Sequence, residues 1–188
     1  MNNQRENPIS VRSKKWLTDA LFELMKDKPY EKISIREIAE KAGLTRQTFY
    51  HNFSSKEMLL MYKSDQLFDE FYHIARKNNI KTAEELILFY FRYWKERSEF
   101  IKLLIDNNVE HILTHRYPEY FKIVSILDVE GTLTEAQQEY VYVFYSGSLI
   151  YLLCKWVERG MDCSPKEMTR IVKGILDGEF FLDERKEI

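Results

Sequence analysis

Apolar residues recur at helical spacing along nearly the whole chain, and no window sustains strand alternation, so the pattern predicts an all-α protein. The first segment runs from about Ser10 to Asp27, with Leu17, Ala20, Leu21, Leu24 and Met25 facing inward. Ser34 with Glu37 forms a capping box before a second helix whose apolar face is Ile35, Ile38, Ala39 and Ala42. Gly43 ends that helix, because the chain must reverse there and glycine enters the left-handed region cheaply. Leu44 anchors the turn, and Thr45 caps a third helix through Arg46, Gln47, Thr48, Phe49, Tyr50 and His51. Ser54 with Glu57 predicts a long fourth helix to about Lys77. Thr82 with Glu85 starts another, and Ser98 marks a break before a helix through Leu103 and Ile112. Pro118 interrupts the next segment, and Asp128 to Thr134, with Gly131, reads as a loop. Thr134 with Gln137 opens a helix to Arg159 that Gly160 closes, and Ser164, Pro165 and Glu167 open a last one to about Leu176.

Two short helices joined by a tight turn between Ser34 and Asn52 make a helix-turn-helix, in which the N-terminal residues of the second helix reach DNA base edges. The start of that helix, with Thr45, suits a phosphate, since its free N–H groups favour an anion. Arg46, Gln47 and Thr48 are then placed for bases: Arg suits guanine, Gln suits adenine, and the Thr methyl can touch a thymine methyl. Phe49 and Phe53 belong to the small core.

The segment from about Trp16 to Leu60 resembles the DNA-binding domain of TetR/AcrR transcriptional regulators, through LTDALFELM, SIREIAEKAGLT and TFYHNFSSKEMLL. The chain departs from that pattern at Pro29-Tyr30, where most relatives have Gly before the aromatic residue. Proline still breaks the helix, so a changed turn within an unchanged fold is expected. The resemblance implies phosphate contacts at Tyr50, His51 and Lys56, and at Ser34 or Arg36. It also implies a homodimer on a near-palindromic operator, with residues 1–53 as the head and 54–188 as a helical dimerisation and effector domain. The fourth helix would link the two. The first expectation is a repressor whose operator binding a small effector modulates; the alternatives are an effector-free or protein-partnered regulator, an activator among them, and a helical scaffold or enzyme with a vestigial head.

Charge sharpens this picture. The net charge of −2 divides unevenly: residues 1–63 carry 12 Lys or Arg against 8 Asp or Glu, and residues 64–188 carry 16 against 22. A basic head on an acidic body fits a chain that meets phosphate at one end. Cys154 and Cys163 lack metal-type spacing and suit a reducing cytoplasm. The polar N-terminus lacks the apolar stretch of a signal peptide. The longest apolar run, Ser148 to Cys154, is too short to cross a membrane.

Beyond about residue 80 the chain is rich in Tyr, Phe and Trp. Such stripes are core residues first, but buried Tyr hydroxyls need partners. A pocket for a small apolar effector is therefore expected around Phe71, Phe89, Tyr93, Phe100, Tyr117, Phe121 and Tyr145. Phe144, Gly147, Ser148 and Tyr151 allow close helix approach, and Met168, Ile171, Val172 and Ile175 form a stripe beside Gly174, so these residues are expected at the dimer interface. The run FYSGSLIYLLCKWVERG followed by SPKE resembles the end of one TetR-like C-terminal subgroup. His111 and His115, four apart, can share a metal, but no third ligand is evident. No GxSxG, P-loop or HExxH occurs, so neither a cofactor nor an enzymatic role is expected.

Overall fold

The computed structural model describes residues 7–114 and 134–180. Within them every regular element is helical: α1 Pro8–Asp27, α2 Ile35–Lys41, α3 Arg46–Asn52, α4 Lys56–Lys77, α5 Ala83–Glu96, α6 Ser98–Asp106, α7 Glu135–Glu158 and α8 Pro165–Leu176, with 3-10 turns at Tyr30–Lys32 and Glu110–Thr114. The expected loop from 128, and the segment at Pro118, lie outside the described residues, apart from Thr134.

Capping residues account for most helix starts. The reciprocal capping boxes at Ser34/Glu37, Thr82/Glu85, Thr134/Gln137 and Ser164/Glu167 are all formed. Three starts or ends differ from the sequence reading. α1 begins at Pro8 because the Asn7 side chain accepts from the Ile9 N–H at 3.0 Å, and a first-turn proline has no N–H to leave unpaired. At α4 the Met58 N–H donates to Ser55 Oγ at 3.3 Å, so Ser55 rather than Ser54 caps the helix. α6 stops at Asp106 instead of running through Ile112: Asn108 adopts φ 55, a left-handed conformation that Asn tolerates, and the chain resumes as a 3-10 turn.

The chain forms two compact units, residues 1–68 with 103–115, and residues 69–102 with 116–188. The division falls inside α4 and inside α6, whereas the sequence reading places it between 53 and 54. In the first unit α1, α2 and α3 pack pairwise around Leu17, Leu21, Ile38 and Phe49, all fully buried. Each such side chain contributes about 1.5–3 kcal/mol. Phe53 tilts against Phe49 and meets Tyr62 edge-on at 5.6 Å, fixing α4 to the end of α3.

In the second unit α5 packs on α8; Leu86, Ile87, Phe91 and Trp94 of α5 and Met168 and Val172 of α8 are buried. Phe91 meets Trp156 of α7 edge-on at 5.4 Å, and the Tyr90 hydroxyl donates to the Leu149 carbonyl. At α8 a Cβ on Gly174 would stand 2.7 Å from the Phe180 ring. That glycine therefore lets the following turn fold back onto its own helix.

Candidate nucleic-acid interface

α3 is short, seven residues, and two groups fix it. The Thr45 side chain accepts from the Thr48 N–H at its start. At its end Asn52 donates to the Thr48 carbonyl and accepts from the Ser10 hydroxyl at 2.7 Å, which ties α1 to the end of α3. Phe49 points into the core, and the opposite face presents Arg46, Gln47, Tyr50 and His51 to solvent. Tyr50 is 51% exposed although it is large and aromatic. Thr48 is half-buried, and its hydroxyl lies 2.9 Å from that of Thr45.

α2 presents its N-terminus with Ser34 and Arg36 exposed. Arg36 pairs with Glu40 one turn on at 2.7 Å, a surface pair that is easily given up. Glu37 holds the start of the helix. Its carboxylate accepts from Lys28 and from the backbone and hydroxyl of Ser34, and these bonds bring its pKa down to about 2.

Lys56, expected at a phosphate, is directed into the protein instead. Its ammonium donates to the carbonyls of Tyr30 at 2.7 Å and Ile33 at 3.0 Å, with a longer contact to Glu31 at 3.3 Å. It also lies 4.2 Å from the centre of the Tyr30 ring. Burial pushes the Tyr30 phenol up to about 12, with Glu57 adding to the shift. From the other side Asn107 accepts the Tyr30 N–H at 2.7 Å. Sequence reasoning marked Pro29-Tyr30 only as a departure. It missed Asn107 because 77 residues separate the partners, and it missed the Ser10–Asn52 pair for the same reason.

The expected dimer residues divide between two environments. Phe144 and Tyr151 of α7 are 58% and 73% exposed, Tyr140 shares their face, and Gly147 and Ser148 lie half-buried nearby. Ile175 of α8 is exposed and Ile171 half-exposed, while Met168 and Val172 are buried against their own subunit. Met168 and Val172 are thus core residues in this chain, because α8 turns that side toward α5. Among the described residues α7 is also long and apolar enough, by length and composition alone, to cross a membrane.

Among the expected pocket residues, Phe71 stacks on Phe89 at 5.0 Å and meets Tyr93 edge-on at 5.2 Å. The Tyr93 hydroxyl donates to Glu70, and Arg97 lies over the Tyr93 ring while pairing with Glu70 at 2.9 Å. Burial raises the Tyr93 pKa. Phe100 and Tyr145 are half-buried, and Tyr117 and Phe121 lie outside the described residues. His111 lies 3.9 Å from Glu57, and His115 is outside the described residues. No group of three or more metal-ligating side chains occurs among the described residues.

Comparison with known proteins supplies the family. Residues 17–61 match the model for bacterial regulatory proteins of the tetR family. Residues 81–178 match a model for a transcriptional regulator C-terminal region. The HTH-type dhaKLM operon transcriptional activator DhaS of Lactococcus lactis subsp. lactis (strain IL1403) is 31% identical over 104 residues, and the match spans 54% of each chain. The chain therefore aligns with about half the length of that relative. The fold resembles the solved structure of Lin0861 from Listeria innocua, at TM-score 0.79 and 14% identity over 95% of this chain and 96% of that one. It also resembles a TetR/AcrR-family regulator from Thermobifida fusca, at TM-score 0.56 and 21% identity over 88% and 97%. With a head and a C-terminal region that both match in chain order, this chain belongs to the TetR family of transcriptional regulators.

Proposed function

We propose that this chain is a homodimeric, cytoplasmic repressor that binds a near-palindromic operator, with α3 of each head in a major groove. The observation that carries the reading is the exposed face of Arg46, Gln47, Tyr50 and His51 on a helix whose other face is locked into the core. Arg46, Gln47 and Thr48 read bases, while Ser34, Arg36, Thr45, Tyr50 and His51 meet phosphate. Lys56 contributes by holding the turn before α2. Two such helices must be about one DNA turn apart, roughly 34–36 Å. The exposed aromatic face of α7, with Ile171 and Ile175 of α8, is the proposed dimer surface. Covering it with a second copy removes apolar area from water, which also explains why so apolar a helix belongs to a DNA-binding chain.

We further propose that a small apolar effector binds the second domain among its aromatic side chains and acts through α4. A long helix moves as a lever, so displacement near Phe71 shifts the end at Lys56. The effector must bind the two states with different affinity. A coupling of about 1–3 kcal/mol changes operator affinity roughly 5- to 150-fold. An activator is the second reading, favoured by the activator DhaS among the relatives. Selecting bound fragments from genomic DNA and then fusing the recovered site to a reporter tests both readings. Reporter output that falls with the protein supports the repressor, and output that rises supports the activator.

A further inference from the structure

The 3-10 turn Tyr30–Lys32 has no side-chain cap of its own, and the first N–H of such a turn has no partner within it. Asn107 supplies that partner from the turn after α6. Its Oδ1 accepts the Tyr30 N–H at 2.7 Å, and its Nδ2 donates to the Leu103 carbonyl at 2.9 Å, so both ends of the amide are fixed. Asn107 is half-buried and belongs to the same compact unit as the head, although it lies in the region matched by the C-terminal model. Beyond Tyr30 the chain is held again, by Lys56 at the carbonyls of Tyr30 and Ile33. The next residue is Ser34, the cap of α2. Four residues therefore separate the amide held by Asn107 from the N-terminus of α2.

We propose that Asn107 is a positioning residue for DNA binding: by holding the Tyr30 amide it sets the turn that brings Ser34 and Arg36 to the phosphate backbone. The inference rests on the reading that the start of α2 meets phosphate. Asn107 touches no DNA. Through one backbone hydrogen bond it orients the segment that carries the Ser34 and Arg36 side chains.

The test compares Asn107→Ala with Asn107→Asp in the full-length protein. Asp keeps the acceptor for the Tyr30 N–H and loses the donor to the Leu103 carbonyl, whereas Ala removes both. Hydrogen exchange over residues 29–34 and binding to a random-sequence duplex are read together. Asn107→Ala should speed exchange there and weaken binding by about 3- to 10-fold, the range that one hydrogen bond supports. Asn107→Asp should restore slow exchange, since the Tyr30 N–H regains its acceptor. In a Ser34→Ala/Arg36→Ala background, Asn107→Ala should weaken binding no further, since the contacts it positions are already gone. That non-additivity separates positioning from general stabilisation. The proposal is overturned if Asn107→Ala binds like wild type, if Asp fails to restore slow exchange, or if the loss persists in full in the double-variant background. A wild-type protein that binds no duplex would instead refute the DNA-binding reading, and this role with it.

Discussion

The Lys56 ammonium donates to the Tyr30 carbonyl at 2.7 Å across 26 residues of sequence. With the bond to Ile33, it ties the first turn of α4 to the chain just before α2. Burial lowers the pKa of Lys56, whereas the carbonyls and the Tyr30 ring around its ammonium favour the charged form. We expect Lys56→Met to lower stability by about 1–2 kcal/mol, the scale of lost charge-assisted hydrogen bonds at a partly exposed site. The slope of log affinity against log salt should stay within about half a unit of wild type, because a lysine bound to phosphate would take about one unit with it. Thermal melts and DNA titrations at several salt concentrations check both numbers.

Tyr50 and Gln47 share the exposed face of α3 but should respond differently. Phosphate contacts position and base contacts specify. Tyr50→Ala should weaken binding to all duplexes alike. Gln47→Ala should cost about 1–3 kcal/mol at the preferred base and relax preference at that position. Binding to a panel of single-substitution duplexes separates the two. Equal losses across the panel for Gln47→Ala would remove its base-reading role.

Glu37 makes stability depend on acid. Its pKa is about 2 in the folded protein, against an ordinary value of about 4.3. A depressed carboxylate contributes stability that is present above the unfolded value and lost as pH falls through the folded one. The loss therefore falls between about pH 4 and pH 2. Glu37→Gln should lower the melting temperature at neutral pH and flatten its decline over that window. A variant whose melting curve parallels wild type from pH 7 to pH 2 would contradict the role.

The two helices proposed at the dimer surface give opposite outcomes for the same kind of change. Tyr151→Asp should yield a folded monomer by sedimentation, weakening the dimer at least about tenfold, as loss of a central anchor does. Val172→Asp should unfold or strongly destabilise the subunit, because it places a charge in the contact between α5 and α8. A folded dimer of Tyr151→Asp would move the interface elsewhere.

What was legible in the sequence was local. Ser34, Thr45, Thr82, Thr134 and Ser164 announced five helix starts because each needs only a partner three residues on. Phe49 and Phe53 were readable as core from helical spacing, and Gly43, at φ +67 with open space around it, is there for its backbone alone. The partners of Lys56, Asn107 and Asn52 were not legible, because hydrogen bonds across many residues leave no periodic trace. On α8 the spacing of Met168, Ile171, Val172 and Ile175 showed an apolar stripe but not which edge would meet α5. Only packing decided that Met168 and Val172 turn inward. The break after α6 was missed because an asparagine, unlike a glycine, does not stand out as a left-handed terminator; at Asn108 the Val109 N–H closes back on the Leu104 carbonyl at 3.0 Å.

The most direct test of the account is binding of wild type and of Arg46→Ala/Gln47→Ala to a duplex selected from genomic fragments, beside a random duplex, at about 50 and 200 mM salt. We predict two chains per selected duplex, affinity that falls steeply with salt on both duplexes, and a double variant that keeps random-duplex affinity while losing its preference for the selected one. A double variant that still prefers the selected duplex as strongly as wild type would contradict the claim that α3 reads the operator.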